Sequence, residues 1–297
     1  MVKKIKAKNA IDRAHPFYFV LPAVIIYFVF FIFPIIVNIG TAFTDWNTYQ
    51  VTPRFTGLEN FRQLVASGDL LHVIKTTLYF TVTVVALQNL FGFFLALALQ
   101  DKNRLNDFFR ALFFVPAVVS IVVWGYLFQT ILHPTGLLNA FLSLVLSKKI
   151  EVAWLGSIDF TIFVVGGVNV WIWTGLTMVI YIAAINTIPE EIFEAGRMDG
   201  LRFFGTVRHI VIPLVIPGMT VNILISMIGS LKVFDIIMVL TKGGPGQATH
   251  VFNTMIYQIF GQGLLGYASS MNIILIIIIS AFAFPIYIQL SKRVVEL

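Results

Sequence analysis

Asn186-Thr187-Ile188-Pro189-Glu190-Glu191-Ile192-Phe193-Glu194-Ala195-Gly196-Arg197-Met198-Asp199-Gly200, continuing through Leu201 to Pro213, is a polar island in an apolar chain. Thr187 and Glu190 have the Thr-x-x-Glu spacing of a capping box, and Pro189 falls in the first turn, where a missing N–H is harmless. Glu190 and Glu191 suit the positive end of a helix dipole. The spacing predicts a short helix, ended by Gly200 in the left-handed conformation that glycine adopts freely. A second short helix is expected from about Leu201 to His209, stopping before Pro213. Ile188, Ile192, Ala195 and Met198 recur at intervals of four, three and three, an apolar stripe on a polar helix. Such a stripe packs on its own bundle, lies on lipid, or docks into a partner.

The island is flanked by uncharged runs from Phe160 to Pro189 and from Ile210 to Leu231. Further uncharged runs extend from Phe17 to Phe43, Thr76 to Gln100, Ala111 to Leu132 and Val251 to Leu290. A run of about 20 apolar residues reads as a spanning helix, because backbone polar groups in hydrocarbon must be bonded within the structure. Six spans are expected. The last run is long, and its Gly-rich beginning places the sixth helix at about Ala268 to Leu290. Of the 297 residues 58% are hydrophobic and 11% charged, where soluble domains carry roughly a quarter. The mean hydropathy is +0.91. A soluble enzyme is excluded, and the reading is an all-α membrane protein in a lipid membrane. The first run is 27 residues long, about twice the apolar region of a signal peptide, so it is expected to remain as a helix.

The basic residues set the orientation. Lys3, Lys4, Lys6, Lys8, Arg13, Lys102, Arg104, Arg110, Arg197, Arg202, Arg208, Lys292 and Arg293 fall on one side, thirteen in all. Arg54, Arg62, Lys75, Lys148, Lys149 and Lys242 fall on the other. The positive-inside bias makes both termini cytoplasmic, and it accounts for the net charge of +6 without nucleic acid.

Catalytic chemistry is hard to find. Without Cys there is no thiolate nucleophile and no Cys-ligated metal, and the five His have no metal-ligand spacing. Gly200 to Gly205 is a GxxxxG, but Thr206 and Val207 stand where a phosphate loop needs Lys and Ser/Thr. The chain therefore has no catalytic or metal residues to assign and does not bind ATP by this motif. Its energy source is another subunit or an ion gradient.

Glu194-Ala195-Gly196, then Asp199-Gly200, then Ile210, Ile212 and Pro213 resemble the EAA loop of binding-protein-dependent ABC importer permeases. Phe234-Asp235, Leu240-Thr241, Gly243-Gly244-Pro245, Thr249, Tyr257 and Gly266-Tyr267-Ala268-Ser269 are similar to the carbohydrate branch of that family, the maltose and glycerol-phosphate permeases with a GGP segment. The likeness covers roughly Leu71 to Arg293. Gly196 departs from the usual third Ala, Leu201 from the Ala after the DG, and Val207 from a common Phe. The resemblance implies a type I ABC importer permease in the cytoplasmic membrane. It divides the chain into 1–70 (tail, first span and external loop), a core at 71–293 with the EAA loop at 186–213, and a tail at 294–297. Implied partners are a second homologous permease, two ATPase subunits carrying ATP and Mg, an extracytoplasmic solute-binding protein and a carbohydrate. No cofactor is implied on this chain. Glu194, Ala195, Gly196, Asp199 and Gly200 would carry the docking to the ATPase, although Glu194 could instead pair only with its own Arg197.

A path for sugars needs inward polar side chains and aromatic faces. Asn222, Ser226, Gly229 and Val233 form such a stripe on the fifth helix, Asn169, Trp173 and Thr177 on the fourth, and Ser269, Asn272, Ile276 and Ser280 on the sixth. Small and polar stripes also pack membrane helices together, so both readings stand. Lys232 and Asp235, three apart, read as a mutual ion pair or as a rim contact with an external partner or substrate. Thr249 to Phe260 has amphipathic spacing and reads as a helix at the membrane interface or tucked onto the bundle. By resemblance, this segment and the loop from His133 to Asp159 help receive the solute-binding protein. Non-sugar solutes (glycerol phosphate, amino acid or peptide) remain alternatives within the family. Outside it, an ion-coupled secondary transporter would need intramembrane carboxylates, for which Asp235 alone is thin support, and a membrane enzyme lacks its catalytic constellation.

Overall fold

The computed structural model describes residues 20–291. Lys3, Lys4, Lys6, Lys8, Arg13, Lys292 and Arg293, which weigh in the orientation, lie outside them. The described residues are helical, apart from loops and one antiparallel bridge between Thr44 and Phe55. Helix α1 covers Leu21–Ala42, α2 Glu59–Ala66, α3 Asp69–Leu99, α4 Arg104–Val118 and α5 Ile121–Ile131. Then come α6 (Leu137–Val145), α7 (Thr161–Ile185), α8 (Glu190–Met198), α9 (Phe203–Leu214) and α10 (Ile216–Leu231). The chain continues with α11 (Asp235–Leu240), α12 (Phe252–Gly261) and α13 (Leu265–Ser291).

Four of these helices, α1, α3, α7 and α13, are individually long and apolar enough to span. The third and fifth expected spans are each bent pairs instead, α4 with α5 at 97° and α9 with α10 at 71°. Prolines explain the breaks. Pro116 lies inside α4 and has no N–H to donate to Leu112. Two residues after α4 ends, α5 sets off in a new direction, and Trp124 Nε1 donates to the Pro116 carbonyl at 2.9 Å. Pro217 occupies the first turn of α10, where its fixed φ favours a helix start, so the chain turns at Val215.

Pro213 does not stop its helix as expected. The turn Val207–Val211 widens to π geometry, and the helix runs on to Leu214. The same offset recurs in α1, where Phe28–Ile32 is a π turn ending two residues before Pro34. In each case the proline withholds the bond to the fourth preceding carbonyl, and the widened turn takes up the mismatch without ending the helix.

Helix α7 is the hub. In its best spanning window 61% of residues are buried, against 11% in α13 and none in α1. Glycines bring two neighbours against it. A Cβ on Gly175 would lie 2.0 Å from the Phe113 carbonyl oxygen of α4, and one on Gly92 of α3 would lie 2.5 Å from Thr177 Cγ2. Backbones approach closely here because no side chain intervenes. On one part of the hub Phe80, Val84, Ile172, Ile236 and Ile237 form a core; on another, Met178, Tyr181, Ile185, Ile210 and Val215 do.

Candidate solute cavity and helical hairpin

The polar island folds as a helical hairpin, with two corrections to its expected detail. No capping box forms. Pro189 is the N-cap itself, with no side-chain cap, and the Thr187 hydroxyl donates to the Ala184 carbonyl at 2.7 Å, back into α7. Glu190 and Glu191 sit in the first turn of α8, where the dipole favours them. Gly200 has φ +79°, and the Leu201 N–H reaches back to the Gly196 carbonyl at 2.9 Å, closing the helix with a left-handed residue.

The second correction is the phase of the stripe. Ile188 is buried and Ile192 and Phe193 are half-buried, but Ala195 is exposed and Met198 is 88% exposed. The inward position is Gly196, which is buried. A Cβ there would meet Ile210 Cδ1 at 2.6 Å, so the Ile210 side chain of α9 occupies the notch that the missing side chain leaves. This turns Glu194, Ala195, Met198 and Asp199 outward, and Phe203 and Phe204 beyond the turn are exposed as well. Arg197 lies 3.1 Å from Glu190 and 3.9 Å from Glu194, both solvated pairs that fix little.

A cavity of about 290 Å³ opens between α3, α5, α7, α10 and the start of α11. It brings together Asn169 and Trp173 of α7, Asn222, Ser226 and Gly229 of α10, and Lys232 and Asp235 beyond α10. Gln88 of α3 joins them. It was absent from the sequence candidates, although Gln88 and Asn89 are adjacent amides in the middle of an apolar run. Gln88 Nε2 donates to Thr177 Oγ1 at 2.8 Å, and Asn222 Nδ2 to the Thr177 carbonyl at 3.2 Å. Asn89 Nδ2 donates to Ser226 Oγ at 3.0 Å, and Tyr181 OH to Asn89 Oδ1 at 2.9 Å. The amides are thus held in place by neighbours, which orients them.

Asn272 is elsewhere. Its Nδ2 donates to Asn38 Oδ1 at 3.1 Å, and Asn38 Nδ2 donates to Ser269 Oγ at 3.0 Å, so the polar stripe of α13 fastens α1. It does not line the cavity. Lys232 and Asp235 make no ion pair with each other among the described residues. Three-residue spacing brings side chains together only within one helix, whereas Lys232 ends α10 and Asp235 begins α11.

Residues 88–296 match the model of a single family, described as the binding-protein-dependent transport system inner membrane component. This chain belongs to that family. The inner-membrane component is 31% identical over 276 residues to the probable ABC transporter permease protein YurN of Bacillus subtilis, covering 92% of this chain and 94% of the relative. It is 30% identical over 278 residues to the multiple sugar-binding transport system permease protein MsmF of Streptococcus mutans, covering 93% and 94%. A solved bacterial ABC transporter involved in the import of the acidic polysaccharide alginate has the same fold, with a TM-score of 0.81 at 22% identity over 97% of this chain and 99% of that one. The protein is a multi-pass component of the inner membrane.

In this inner-membrane component the GGP segment is a fixed block. Gly243 has φ +89°, and the His250 ring lies 2.3 Å from where its Cβ would be. Thr249 Oγ1 donates to the Gly244 carbonyl and meets Thr241 Oγ1, each at 2.7 Å. His72 of α3 reaches the Gln247 carbonyl at 2.9 Å. Helix α12 then tucks onto the bundle: Phe252, Met255 and Ile259 are buried, in a core shared with Met271 and Leu275. Burial, with repulsion from His72 as the smaller cause, holds the His250 imidazole below its ordinary pKa of 6.5. The neutral ring is the folded form. Stability from this group is therefore present above about 6.5 and lost as pH falls through the lowered folded value. Amide exchange across 241–250 should accelerate on acidification through that window, and His250→Gln should remove the acid dependence. Exchange that is indifferent to pH after correction for its intrinsic rate would contradict the account.

Proposed function

We propose that the chain is a permease subunit of an ATP-driven ABC importer that moves a carbohydrate across the cytoplasmic membrane by alternating access. Each bent pair is one span, giving six, with both termini cytoplasmic. A second homologous permease, two ATPases that hold ATP and Mg, and an extracytoplasmic solute-binding protein complete the assembly. The observation that carries the carbohydrate is the cavity. Its volume lies near the low end for small-molecule sites, about 300 Å³, and its lining offers amides, hydroxyls and a Trp face, the groups that recognise sugar hydroxyls and ring C–H faces. Relatives named as sugar permeases, MsmF among them, point the same way. An ion-coupled carrier is disfavoured because no Asp or Glu is buried among the described residues.

The outward face of α8 would engage the ATPase through Glu194, Ala195 and Asp199, with Gly196 and Gly200 shaping the helix behind it. Displacing α8 must carry α7 and α9 with it, because Ile188, Ile192, Phe193 and Gly196 pack on Ile185, Leu201 and Ile210. Through Tyr181 this packing reaches Asn89 and Ser226 beside the cavity. ATPase closure would in this way alter access to the solute.

Three outcomes test the proposal. Glu194→Ala or Gly200→Pro should leave the subunit inserted while uptake falls or ATPase recovery drops, within the roughly 5- to 150-fold span of ordinary coupling energies. Proline cannot adopt the φ of +79° that Gly200 holds. Normal uptake and normal ATPase recovery in both variants would sink the role of the loop. Replacing Asn222 with Leu should reduce uptake in reconstituted vesicles while complex yield and basal ATPase activity survive. Loss of assembly, or unchanged uptake, would remove α10 from the pathway. The chain has no Cys, so single cysteines report topology cleanly: residues 6, 104 and 202 should label only from the cytoplasm, 148 and 247 only from outside. External labelling at 202 would overturn the six-span orientation.

A further inference from the structure

Helix α6 presents the wrong face to water. Leu137, Phe141, Leu144 and Val145 recur at helical spacing and are 71, 62, 80 and 60% exposed, with Leu146 following at 60%. Contiguous apolar exposure of this kind marks a contact surface rather than a solvated one. The opposite side is fastened. Asn139, 1% exposed, donates from Nδ2 to the carbonyls of Pro134 at 2.9 Å and Val152 at 2.8 Å, and its Oδ1 accepts from Trp154 Nε1 at 2.9 Å. Ser143 Oγ accepts from the Ile150 N–H at 2.8 Å and donates to the Asn139 carbonyl at 2.7 Å. The helix is therefore held with its apolar stripe outward and cannot roll to bury it.

Position identifies what covers the stripe. On the reading of α4 and α5 as one span, α5 is its second half, and its Val122, Val123, Tyr126 and Leu127 are 43–63% exposed, a face suited to hydrocarbon. Only five residues, through a turn closed by the Gly136 N–H on the His133 carbonyl at 2.7 Å, separate the end of α5 from α6. So α6 begins at the depth where the span ends, continuous with the lipid-facing surface. At nine residues it is about 14 Å long, too short to cross a core of about 30 Å. Lys148, in no ion pair among the described residues, follows the stripe, where its charge suits lipid phosphates, while Lys149 pairs with Glu151 at 2.8 Å.

We propose that α6 lies along the membrane interface, its Leu137, Phe141, Leu144 and Val145 stripe sunk among the acyl chains and Lys148 at the phosphates. On the orientation proposed above this is the extracytoplasmic leaflet. Should labelling at residue 148 reverse that orientation, the leaflet changes and the lipid contact stands. The helix would anchor the loop between the third and fourth spans, so that forces on that loop act against the bilayer.

The test uses the assembled importer in phosphatidylethanolamine–phosphatidylglycerol vesicles, with a nitroxide on single cysteines introduced as Phe141→Cys, Leu144→Cys, Val123→Cys and Val51→Cys. All four positions are exposed, so none of the substitutions disturbs a core, and Val51 at 97% exposed is the aqueous reference. The ratio of collision with oxygen to collision with a water-soluble nickel chelate should be several-fold higher at 141 and 144 than at 51, approaching that at 123. A ratio equal to that at 51 places the stripe in water and overturns the proposal. Protection from both reagents at 141 and 144 means that a protein, the partner permease or a bound subunit, covers the stripe, and overturns it equally.

Discussion

A chain that crosses hydrocarbon must satisfy its backbone from within, and here prolines decide how that is done. Where a proline falls inside a helix the ladder loses one bond; α13 carries Pro285 within its length, and elsewhere the protein answers in two ways. It widens the turn ahead of Pro34 and Pro213 and keeps the helix going, or it ends the helix shortly after Pro116 and starts another at Pro217. The first response keeps α9 joined to the hairpin at its base. The second creates the elbows between α4 and α5 and between α9 and α10, and α5, α10 and the start of α11 line the cavity with α7.

Much of this was legible in the sequence, and the misses have physical reasons. Long uncharged runs reveal spans because solvation is additive along a chain. The elbows are invisible to that sum, since a bent pair has the same hydropathy as a straight helix. Gly200 was legible because only a backbone preference is involved. Gly196 was not: an apolar stripe is counted by side chains, and the innermost position of α8 has none, so the stripe was placed one residue out of phase. The capping box failed because the helix starts at Glu190 with Pro189 as its N-cap, two residues beyond Thr187, whose hydroxyl donates to the Ala184 carbonyl of the preceding helix.

The candidate site was legible in part for the same kind of reason. Periodicity tells which residues share a face, and Asn169 with Trp173, and Asn222 with Ser226, do share faces on one cavity. It does not tell what the face meets. Ser269 and Asn272 share a face as expected, and that face meets Asn38. Lys232 and Asp235 failed because their spacing presumed one continuous helix. Gln88 was missed although Thr77, Thr81 and Gln88 share a buried face of α3, because threonine hydroxyls are a weak polar signal in an apolar run and the partners of Gln88 and Asn89 lie 89 and 137 residues further along the chain.

The notch at Gly196 has a consequence for how such loops can be exchanged or can diverge. Ile210 and the absent side chain at 196 share one volume, contributed by two segments on either side of the hairpin turn. A side chain added at 196 obliges the terminal methyl of Ile210 to swing aside, or α8 to shift from α9. The two positions therefore answer to each other: volume gained at one has to be yielded at the other, by turning aside or by shrinking. A loop grafted from another transporter with Ala at the third place would rely on the residue at 210 turning its terminal methyl out of the way.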